Sequence, residues 1–452
     1  MPASIRFRPA AFLAGSFVVV SAAWASPPAF TPLSCPAAPR SLAASLAEIP
    51  SRTPGFPHGG VLLSWCERAE NEVTLRCAAW DGARWSPVSA VAHGPRLQAN
   101  WADPPGVMIG AASAGSPWLA HWTEERDGAD EAADILLAAS LDGGGTWGPA
   151  MVPYDETTPA ERGFATMTAA GGQVGRVWWL DARHRPSGES APALKPGPGM
   201  PEPPGTELRA ADLGIGQGRD GVPHLRVLSS RVLDTRTCDC CPLTVVSWPS
   251  VSSARTMAFY RDRSAAEVRD IAAVTLVPGR EPVVTPFSAD GWKIDGCPVN
   301  GPSAVAVPSD GKSVALVVWF TSAADSPRVF AALADSSGGM VGAPLRLDAG
   351  RAAGRCSLVA LHNGTWVVGW FERRGTAAAF KVALLRRRGG MLARGATPIE
   401  IPLASARQTP RLAALGNQVV VAWTDEGPEK SSGRPGVRLG VLTWNGAAPV
   451  SR

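Results

Sequence analysis

The densest group of reactive side chains is the segment Thr237-Cys238-Asp239-Cys240-Cys241-Pro242, which holds three thiols within four positions. Cys297 and Cys356 also precede apolar strands, so we expect all five sulfur atoms at one end of the fold. Neighbouring cysteines do not pair with each other without strain. In an exported protein, disulfides between loops, such as Cys240 or Cys241 to Cys297, are favoured. The alternative is a site for copper(I) or zinc, which bind soft thiolates, with ligands drawn from Cys238, Cys240, Cys241, Cys297 and Cys356.

The remaining cysteines extend the disulfide interpretation, because the chain holds an even number, eight. Cys66 and Cys77 lie symmetrically about a turn at Asn71, so we predict that they pair across neighbouring strands. Cys35 is then left to tie the N-terminal segment to the rest of the fold. Apart from the metal alternative, no cofactor is expected.

Charged side chains cluster in the loops that flank the apolar strands, and this concentration predicts a ligand site. Arginine binds carboxylates and other anions through paired hydrogen bonds, so an acidic ligand, plausibly an acidic glycan, is expected. The candidate ligand-binding residues are Arg263, Arg269, Arg355, Arg407, Lys293 and Asp262.

Candidate catalytic residues are one phenol and three carboxylates: Tyr260, Asp103, Glu161 and Glu267. A tyrosine attacks near neutral pH only if a base takes its proton, because its ordinary pKa is about 10. The chain has two tyrosines, Tyr154 and Tyr260, and only Tyr260 stands beside Arg261 and close to Glu267. Strand alternation could equally bury it. Spacing does not fix the separation of the carboxylates, so neither retaining nor inverting hydrolysis is assigned.

Short apolar strands that end in an aromatic residue must position these loops. They occupy residues 61–65, 117–122, 174–179, 256–260, 314–319, 366–370 and 419–423, and recur every 51 to 59 residues with one interval of 81. With 48 Gly and 42 Pro, this repeat predicts an all-β propeller of four-stranded blades. Seven blades are counted. The last lacks an evident fourth strand, which the Pro-rich segment 26–57 could supply to close the ring.

The segment Ser140-Leu141-Asp142-Gly143-Gly144-Gly145-Thr146-Trp147 predicts a hairpin turn. An aspartate can accept hydrogen bonds from the backbone ahead of it, and glycine adopts the positive φ angles that such turns require. The segment resembles the Asp-box, or BNR repeat, of sialidase-like propellers. That resemblance marks the fold, since the motif lies away from the active centre in those families, and it allows six blades as in sialidases.

A wider resemblance runs from about Phe56 to the C-terminus and rests on the Cys-x-Cys-Cys segment, Tyr260-Arg261-Asp262-Arg263, residues 267–270 and residues 290–301. These resemble exported bacterial proteins described as exo-α-sialidase-like. Sialidases use three arginines, a tyrosine paired with glutamate, and an acid/base aspartate. The motif that carries the first arginine is missing here, where the sequence reads Gly55-Phe56-Pro57-His58.

The N-terminus predicts export. Arg6 and Arg8 precede an apolar run at 10–23, and Ala23-Trp24-Ala25 is a cleavage signal, so we expect a signal peptide cut after Ala25 and a periplasmic or secreted protein. No later apolar run is long enough to span a membrane. Removing both arginines lowers the formal charge from +4 to +2, which does not suggest a nucleic-acid partner.

The sequence thus predicts a signal peptide (1–25), an N-terminal segment (26–57) and a sialidase-like propeller (58–452). We expect it to bind an acidic glycan or related ligand at the mouth of the central channel, with glycoside hydrolysis as an extension. The alternative is a non-catalytic scaffold or a metal-handling protein that uses the Cys-x-Cys-Cys loop. The Pro-rich loop 182–206 is either functional or a mobile insertion, and the oligomeric state is left open.

Overall fold

Antiparallel β-strands form nearly all the regular structure of the described residues. The computed structural model describes residues 28–127, 131–169, 172–185, 205–217, 223–248, 255–308, 314–361, 364–375, 377–395, 397–403, 408–425 and 435–444. The expected signal peptide, most of the loop 182–206 and Arg407 lie outside these residues. Within them, two single-turn 3-10 helices occur at Ala112–Ala114 and Ala323–Asp325, and no helix is long and apolar enough to cross a membrane.

The strands form seven blades of a β-propeller. The first strand is β1 (Ala29–Leu33). From the inside outward, blade 1 is β2 (Leu42–Ile49), β3 (Gly60–Ala69), β4 (Glu72–Trp80) and β5 (Ser89–Gly94); blade 2 is β6 (Gly106–Ile109), β7 (Trp118–Glu125) and β8 (Ala133–Ser140); blade 3 is β9 (Arg162–Thr168), β10 (Gly175–Asp181), β11 (Thr206–Gln217) and β12 (Pro223–Thr237); blade 4 is β13 (Thr244–Trp248), β14 (Arg255–Arg261), β15 (Ile271–Leu276) and β16 (Val283–Pro286); blade 5 is β17 (Ser303–Ala306), β18 (Ala315–Thr321), β19 (Arg328–Ala334) and β20 (Met340–Arg346); blade 6 is β21 (Ala352–Ala360), β22 (Trp366–Arg374), β23 (Ala377–Arg388), β24 (Met391–Arg394) and β25 (Ile399–Leu403); blade 7 is β26 (Arg411–Leu415), β27 (Gln418–Asp425) and β28 (Gly436–Thr443).

The first strands of the blades form the inner ring. Each contacts the first strands of its two neighbours, in the order β2, β6, β9, β13, β17, β21, β26 and back to β2. In blade 2 the outermost position is held by Met151, which bridges Leu137. The all-β propeller and its seven blades are therefore as predicted from the repeat.

The ring closes between the two ends of the described chain. Strand β1 pairs antiparallel with β28, from Ala29 opposite Thr443 to Leu33 opposite Leu439, and is the outermost strand of blade 7. Strand β2 is the innermost strand of blade 1, although the repeat had shown no apolar strand ahead of residues 61–65. Residues 50–59 therefore join β2 to β3, which places Phe56 and His58 at the end of the propeller opposite the loops between second and third strands.

A tryptophan and an acidic residue two positions later recur on the second strand of several blades. The indole N–H donates to the carboxylate in Trp65–Glu67 (2.9 Å), Trp122–Glu124 (2.9 Å), Trp179–Asp181 (3.0 Å) and Trp370–Glu372 (3.0 Å). Residues i and i+2 share one face of a strand, and a buried indole needs an acceptor. The pattern therefore buries the aromatic ring while placing a carboxylate at the end of the strand that carries the 2–3 loop.

The turn after β8 is held by its own polar side chains. Asp142 Oδ1 accepts hydrogen bonds from Ser140 Oγ (2.7 Å) and Thr146 N (2.9 Å), and Ser140 Oγ accepts one from Gly144 N (2.8 Å). These bonds hold the pKa of Asp142 down at about 2. The turn joins the third strand to the outermost position, so it lies at the opposite end of the blade from the loops between second and third strands.

The predicted disulfide between Cys66 and Cys77 is wrong, because both thiols are free and buried. The β3–β4 hairpin places Cys66 opposite Leu75 and Cys77 opposite Ser64. The turn is thus centred one residue earlier than the symmetric position, and the two cysteines are diagonal rather than opposite. Cys35 is also a free thiol.

Candidate functional site

The candidate site lies where two kinds of loop meet at one end of the propeller. One kind enters the innermost strand of each blade, and the other joins the second strand to the third. We call this end the mouth. The loops entering blades 2, 3, 4 and 5 contribute most of the charged and sulfur-containing residues described below.

A cavity of about 240 Å³ opens at the mouth between blades 2 and 3. Four carboxylates and one arginine stand among the residues that line it: Asp103, Glu131, Glu161, Asp239 and Arg162. The cavity thus brings together Asp103 and Glu161, two of the carboxylates selected from the sequence, whereas Glu267 and Tyr260 do not line it.

Asp103 is fixed across the boundary between the two blades. Its Oδ2 accepts a hydrogen bond from the backbone N–H of Phe164 at 2.7 Å. A side chain at Gly163 would place its Cβ 2.8 Å from the same oxygen, so glycine permits the approach. Burial raises the pKa of Asp103 to about 7, against the opposing effects of the Phe164 N–H and the positive charge of Arg411. Asp103 keeps part of its surface open to the cavity, so its carboxyl group can reach a ligand bound there.

Glu161 is the second carboxylate of the cavity and is more exposed. Arg185 Nη2 donates to Glu161 Oε2 at 2.7 Å. Burial raises the pKa of Glu161, Arg185 lowers it, and the negative charges of Asp239 and Glu131 add to the rise. Two carboxyl groups in one cavity therefore both hold protons more readily than a free carboxyl group does.

A buried ion cluster supports the floor of the cavity. Arg162 and Asp181 are both buried, with Nε and Oδ2 3.2 Å apart, and Asp181 also pairs with Arg183 at 2.6 Å. The guanidinium of Arg162 stacks over the ring of Tyr154 at 4.5 Å. These contacts fix the backbone of residues 161–163 next to Asp103.

The cavity adjoins a groove along blades 1 and 2. The groove has two sections, the first of about 470 Å³ and the second of about 420 Å³. Gln98 and Asn100 line both the cavity and the first section, and Glu125 lines both sections of the groove. The groove is lined largely by polar side chains, so it offers an extended surface of hydrogen-bonding groups leading to the two carboxylates.

The cysteine segment lies on the other side of Asp239, in the loop that enters blade 4. Cys240 and Cys297 form a disulfide with Cα atoms 5.9 Å apart, which confirms the predicted connection between the loops entering blades 4 and 5. Cys238 and Cys241 are free and buried, with Sγ atoms 3.5 Å apart. The contact with the Cys241 thiol and the charge of Arg269 lower the pKa of Cys238 to about 6, and burial raises the pKa of Cys241 well above its usual value.

The arginines selected as anion ligands are mostly neutralised. Arg263 pairs with Asp239 (3.0 Å) and Glu267 (3.1 Å), and Arg269 pairs with Glu267 (3.0 Å). Asp262 accepts a bond from the Arg263 backbone N–H at 2.7 Å. Glu267, predicted from the sequence as a catalytic residue, is paired with both Arg263 and Arg269. These residues form a network at the mouth, next to the cavity and not within it.

Two other selected cations are differently placed. Arg355 is half-buried over the Trp101 ring at 4.6 Å, and it has no carboxylate partner among the described residues. Burial lowers its pKa to about 10. Lys293 is exposed, while Arg407 lies outside the described residues. Arg355 is therefore the one selected cation in the described part of the mouth that combines partial burial with a free charge.

Tyr260 lies away from the carboxylate cavity. Its side chain is buried within blade 4, its hydroxyl donates to Asp234, and burial raises its pKa well above the usual value. Tyr154 is also buried, with its hydroxyl bonded to Asp134 (2.9 Å). Both hydroxyl groups are thus engaged by carboxylates, and neither tyrosine lines the carboxylate cavity.

Sequence reasoning missed four residues of the site: Gln98, Glu131, Arg185 and Arg411. The first three stand in loops that the repeat already placed at the mouth, so that alignment was the available signal. Arg411 begins β26. Its charge acts on Asp103, and its buried Nε has no hydrogen-bond partner among the residues that the structure describes.

No protein-family model matches the sequence, and no curated protein does. Among solved structures, a protein of unknown function from Dyadobacter fermentans is 13% identical over 90% of this chain and 95% of that chain, with a TM-score of 0.44. A Penicillium chrysogenum α-L-arabinanase is 15% identical over 93% of this chain and 98% of that chain (TM-score 0.43). A Trypanosoma rangeli sialidase is 8% identical over 79% of this chain and 55% of that chain (TM-score 0.40). Likenesses of this size carry no conclusion about activity.

Proposed function

We propose that this chain is an exported, glycan-binding propeller that hydrolyses a glycosidic bond in the cavity between blades 2 and 3. The observation that supports the proposal is the pairing of Asp103 and Glu161 in one cavity, each with a raised pKa. Glycosidases use two carboxyl groups, one of which must be protonated at working pH. The adjoining groove supplies polar contacts for further sugar units.

Asp103 is assigned the role of general acid. Its pKa of about 7 leaves a proton available to a glycosidic oxygen near neutral pH, and the Phe164 N–H holds the carboxyl group in place. Glu161, whose negative charge Arg185 stabilises, is the base or the carboxylate that faces positive charge on the sugar ring. No tyrosine takes part, so this mechanism differs from that of sialidases.

The charge of the site favours a neutral sugar over an acidic one. Arg263 and Arg269 are paired with carboxylates, and the cavity itself is lined by four carboxylates against one arginine. An acidic group would meet repulsion in the cavity, and its best contact would be Arg355. The acidic glycan expected from the sequence is therefore replaced in the proposal by a neutral glycan.

The test is a panel of fluorogenic glycosides incubated with the purified mature chain, including an α-L-arabinofuranoside as a neutral probe and a sialoside as an acidic probe. We expect turnover of a neutral probe that falls as pH rises above about 7, and a loss of roughly 10²–10⁴-fold in Asp103→Asn. Asp81→Asn, an exposed turn residue, is the matched control and should keep full activity.

Other outcomes decide against parts of the proposal. Turnover of the sialoside alone would overturn the neutral-sugar assignment. Binding of oligosaccharides without turnover would leave a glycan-binding scaffold and remove the hydrolase. Neither binding nor turnover across neutral and acidic glycans would overturn the proposed function as a whole.

A further inference from the structure

We propose that Cys238, Cys240 and Cys241 form a binding site for copper(I), and that reduction of the Cys240–Cys297 disulfide opens this site. The three Sγ atoms lie within 4.8 Å of one another. Cys238 Sγ is 3.5 Å from Cys241 Sγ and 3.9 Å from Cys240 Sγ. This site is separate from the carboxylate cavity and does not rest on the function proposed for it.

The spacing of the sulfur atoms fits one shared ion. With metal–sulfur bonds of roughly 2.3 Å, three sulfurs in a plane around an ion stand about 4 Å apart. Only small side-chain movements separate the observed distances from that value. The described residues place no histidine or carboxylate in this group, and a set made only of soft sulfur ligands favours copper(I). Zinc in structural sites takes four ligands, and this group offers three.

Neighbouring donors suit anionic sulfur atoms. Arg269 is 3% exposed, and its Nη1 donates to Cys238 Sγ at 3.2 Å. The backbone N–H of Asn300 donates to Cys241 Sγ at 3.3 Å. Such contacts orient metal ligands and offset their negative charge. Gly301 allows the two loops to meet, since a Cβ there would lie 1.7 Å from the Pro242 carbonyl oxygen.

The four cysteines of the two loops differ in their exposure to solvent. Cys297 is exposed, Cys240 is half-buried, and Cys238 and Cys241 are buried. A thiolate of a small dithiol reductant can therefore attack Cys297 Sγ. The S–S bond breaks and Cys240 leaves as a thiolate; the second thiol of the reductant then displaces Cys297 and closes the reductant's own disulfide. The reductant loses two electrons, and the sulfur of Cys240 becomes a free thiolate that completes the three-ligand set.

The experiment measures copper(I) binding by the full mature chain under anaerobic conditions. One sample is reduced with a phosphine and freed of reductant, and the other is left oxidised. Each is titrated with copper(I) against a chromophoric chelator. We expect one copper ion per reduced chain and at least tenfold weaker binding by the oxidised chain. Cys238→Ser and Cys241→Ser should lose this binding, and the control Cys66→Ser should keep it.

Alkylation of the wild-type chain gives a readout that does not depend on variants that fold poorly. Copper added to the folded, reduced chain should slow the alkylation of Cys238, Cys240 and Cys241 relative to the copper-free reduced chain, while Cys35 reacts at the same rate in both. Equal alkylation rates of the three cysteines with and without copper would overturn the site. Equal binding by oxidised and reduced chains would overturn the role of the disulfide. Stoichiometric zinc in preference to copper, lost in Cys297→Ser, would overturn copper as the ion.

Discussion

Asp103 and Phe164 join two blades through a single hydrogen bond, in which the backbone N–H of Phe164 donates to Asp103 Oδ2 at 2.7 Å. Asp103 belongs to the loop that enters blade 2, and Phe164 lies on the innermost strand of blade 3. The bond therefore holds the candidate acid against the innermost strand of blade 3.

Gly163→Ala should disturb this contact directly. The added Cβ would lie 2.8 Å from Asp103 Oδ2, so either the carboxylate or strand β9 must move. We expect a loss of about 1–3 kcal/mol in the free energy of unfolding, as for other overpacked sites, and reduced turnover. Urea unfolding measures the first effect. Gly94→Ala, where a Cβ meets nothing within 4 Å, is the control and should change neither quantity; equal effects of the two substitutions would contradict the contact.

Asp103 and His121 should each make the stability of the protein depend on pH, and their two effects have opposite signs. The pKa of Asp103 is raised to about 7, so the folded state holds its proton more tightly than the unfolded state, and stability from this group falls as pH rises from about 4 to 7. Burial lowers the pKa of His121 to about 4, so stability from this group falls as pH drops from about 6.5 to 4. In the wild-type chain the two effects largely offset each other over that range.

Single variants should separate the two effects. Asp103→Asn should lose stability on acidification from pH 6.5 to 4.5, by up to about 1.4 kcal/mol per pH unit, and His121→Gln should gain it. Urea midpoints at four pH values measure both slopes. Identical slopes for the wild-type chain and the two variants would show that neither pKa is shifted in the folded state.

Asp181 should be the most sensitive carboxylate of the tryptophan pattern. It accepts a hydrogen bond from the Trp179 indole and pairs with the buried Arg162, so Asp181→Asn leaves the charge of Arg162 with only its 3.4 Å contact to the carboxylate of Asp134. We expect a loss of about 3 kcal/mol, the lower end for a broken buried ion pair. Glu124→Gln, which touches Trp122 in the same pattern, should cost only about 1 kcal/mol, the usual size for one hydrogen bond. Similar losses in thermal or urea unfolding would contradict the special role of Arg162.

Thiol counting tests the disulfide assignment. The unreduced, denatured chain should show the six free thiols Cys35, Cys66, Cys77, Cys238, Cys241 and Cys356, and the reduced chain all eight. Cys297→Ser should release Cys240 and give seven without reductant. Four free thiols in the wild-type chain would indicate a second disulfide, with Cys66 and Cys77 as the first pair to test by peptide mapping.

The recurrence of strands ending in an aromatic residue was sufficient to predict an all-β propeller and to count seven blades. This worked because alternation along a strand and the need of a buried indole for an acceptor are local properties, visible in residues such as Trp179 and Asp181. The loops at the mouth followed from the same repeat. The innermost strand of blade 1 was missed because Leu42–Ile49 lies inside a Pro-rich segment.

The sequence by itself therefore determined the architecture and favoured a disulfide from Cys240 or Cys241 to Cys297, with a thiolate metal site as the alternative. Only the tertiary structure decided what each reactive residue does. It buried Tyr260 in blade 4, paired Arg263 and Arg269 with Asp239 and Glu267, and placed Asp103 with Glu161 in one cavity. The physical reason is that charge and pKa depend on neighbours contributed by other blades, and those distances are set by how the blades pack, which no spacing within one strand records.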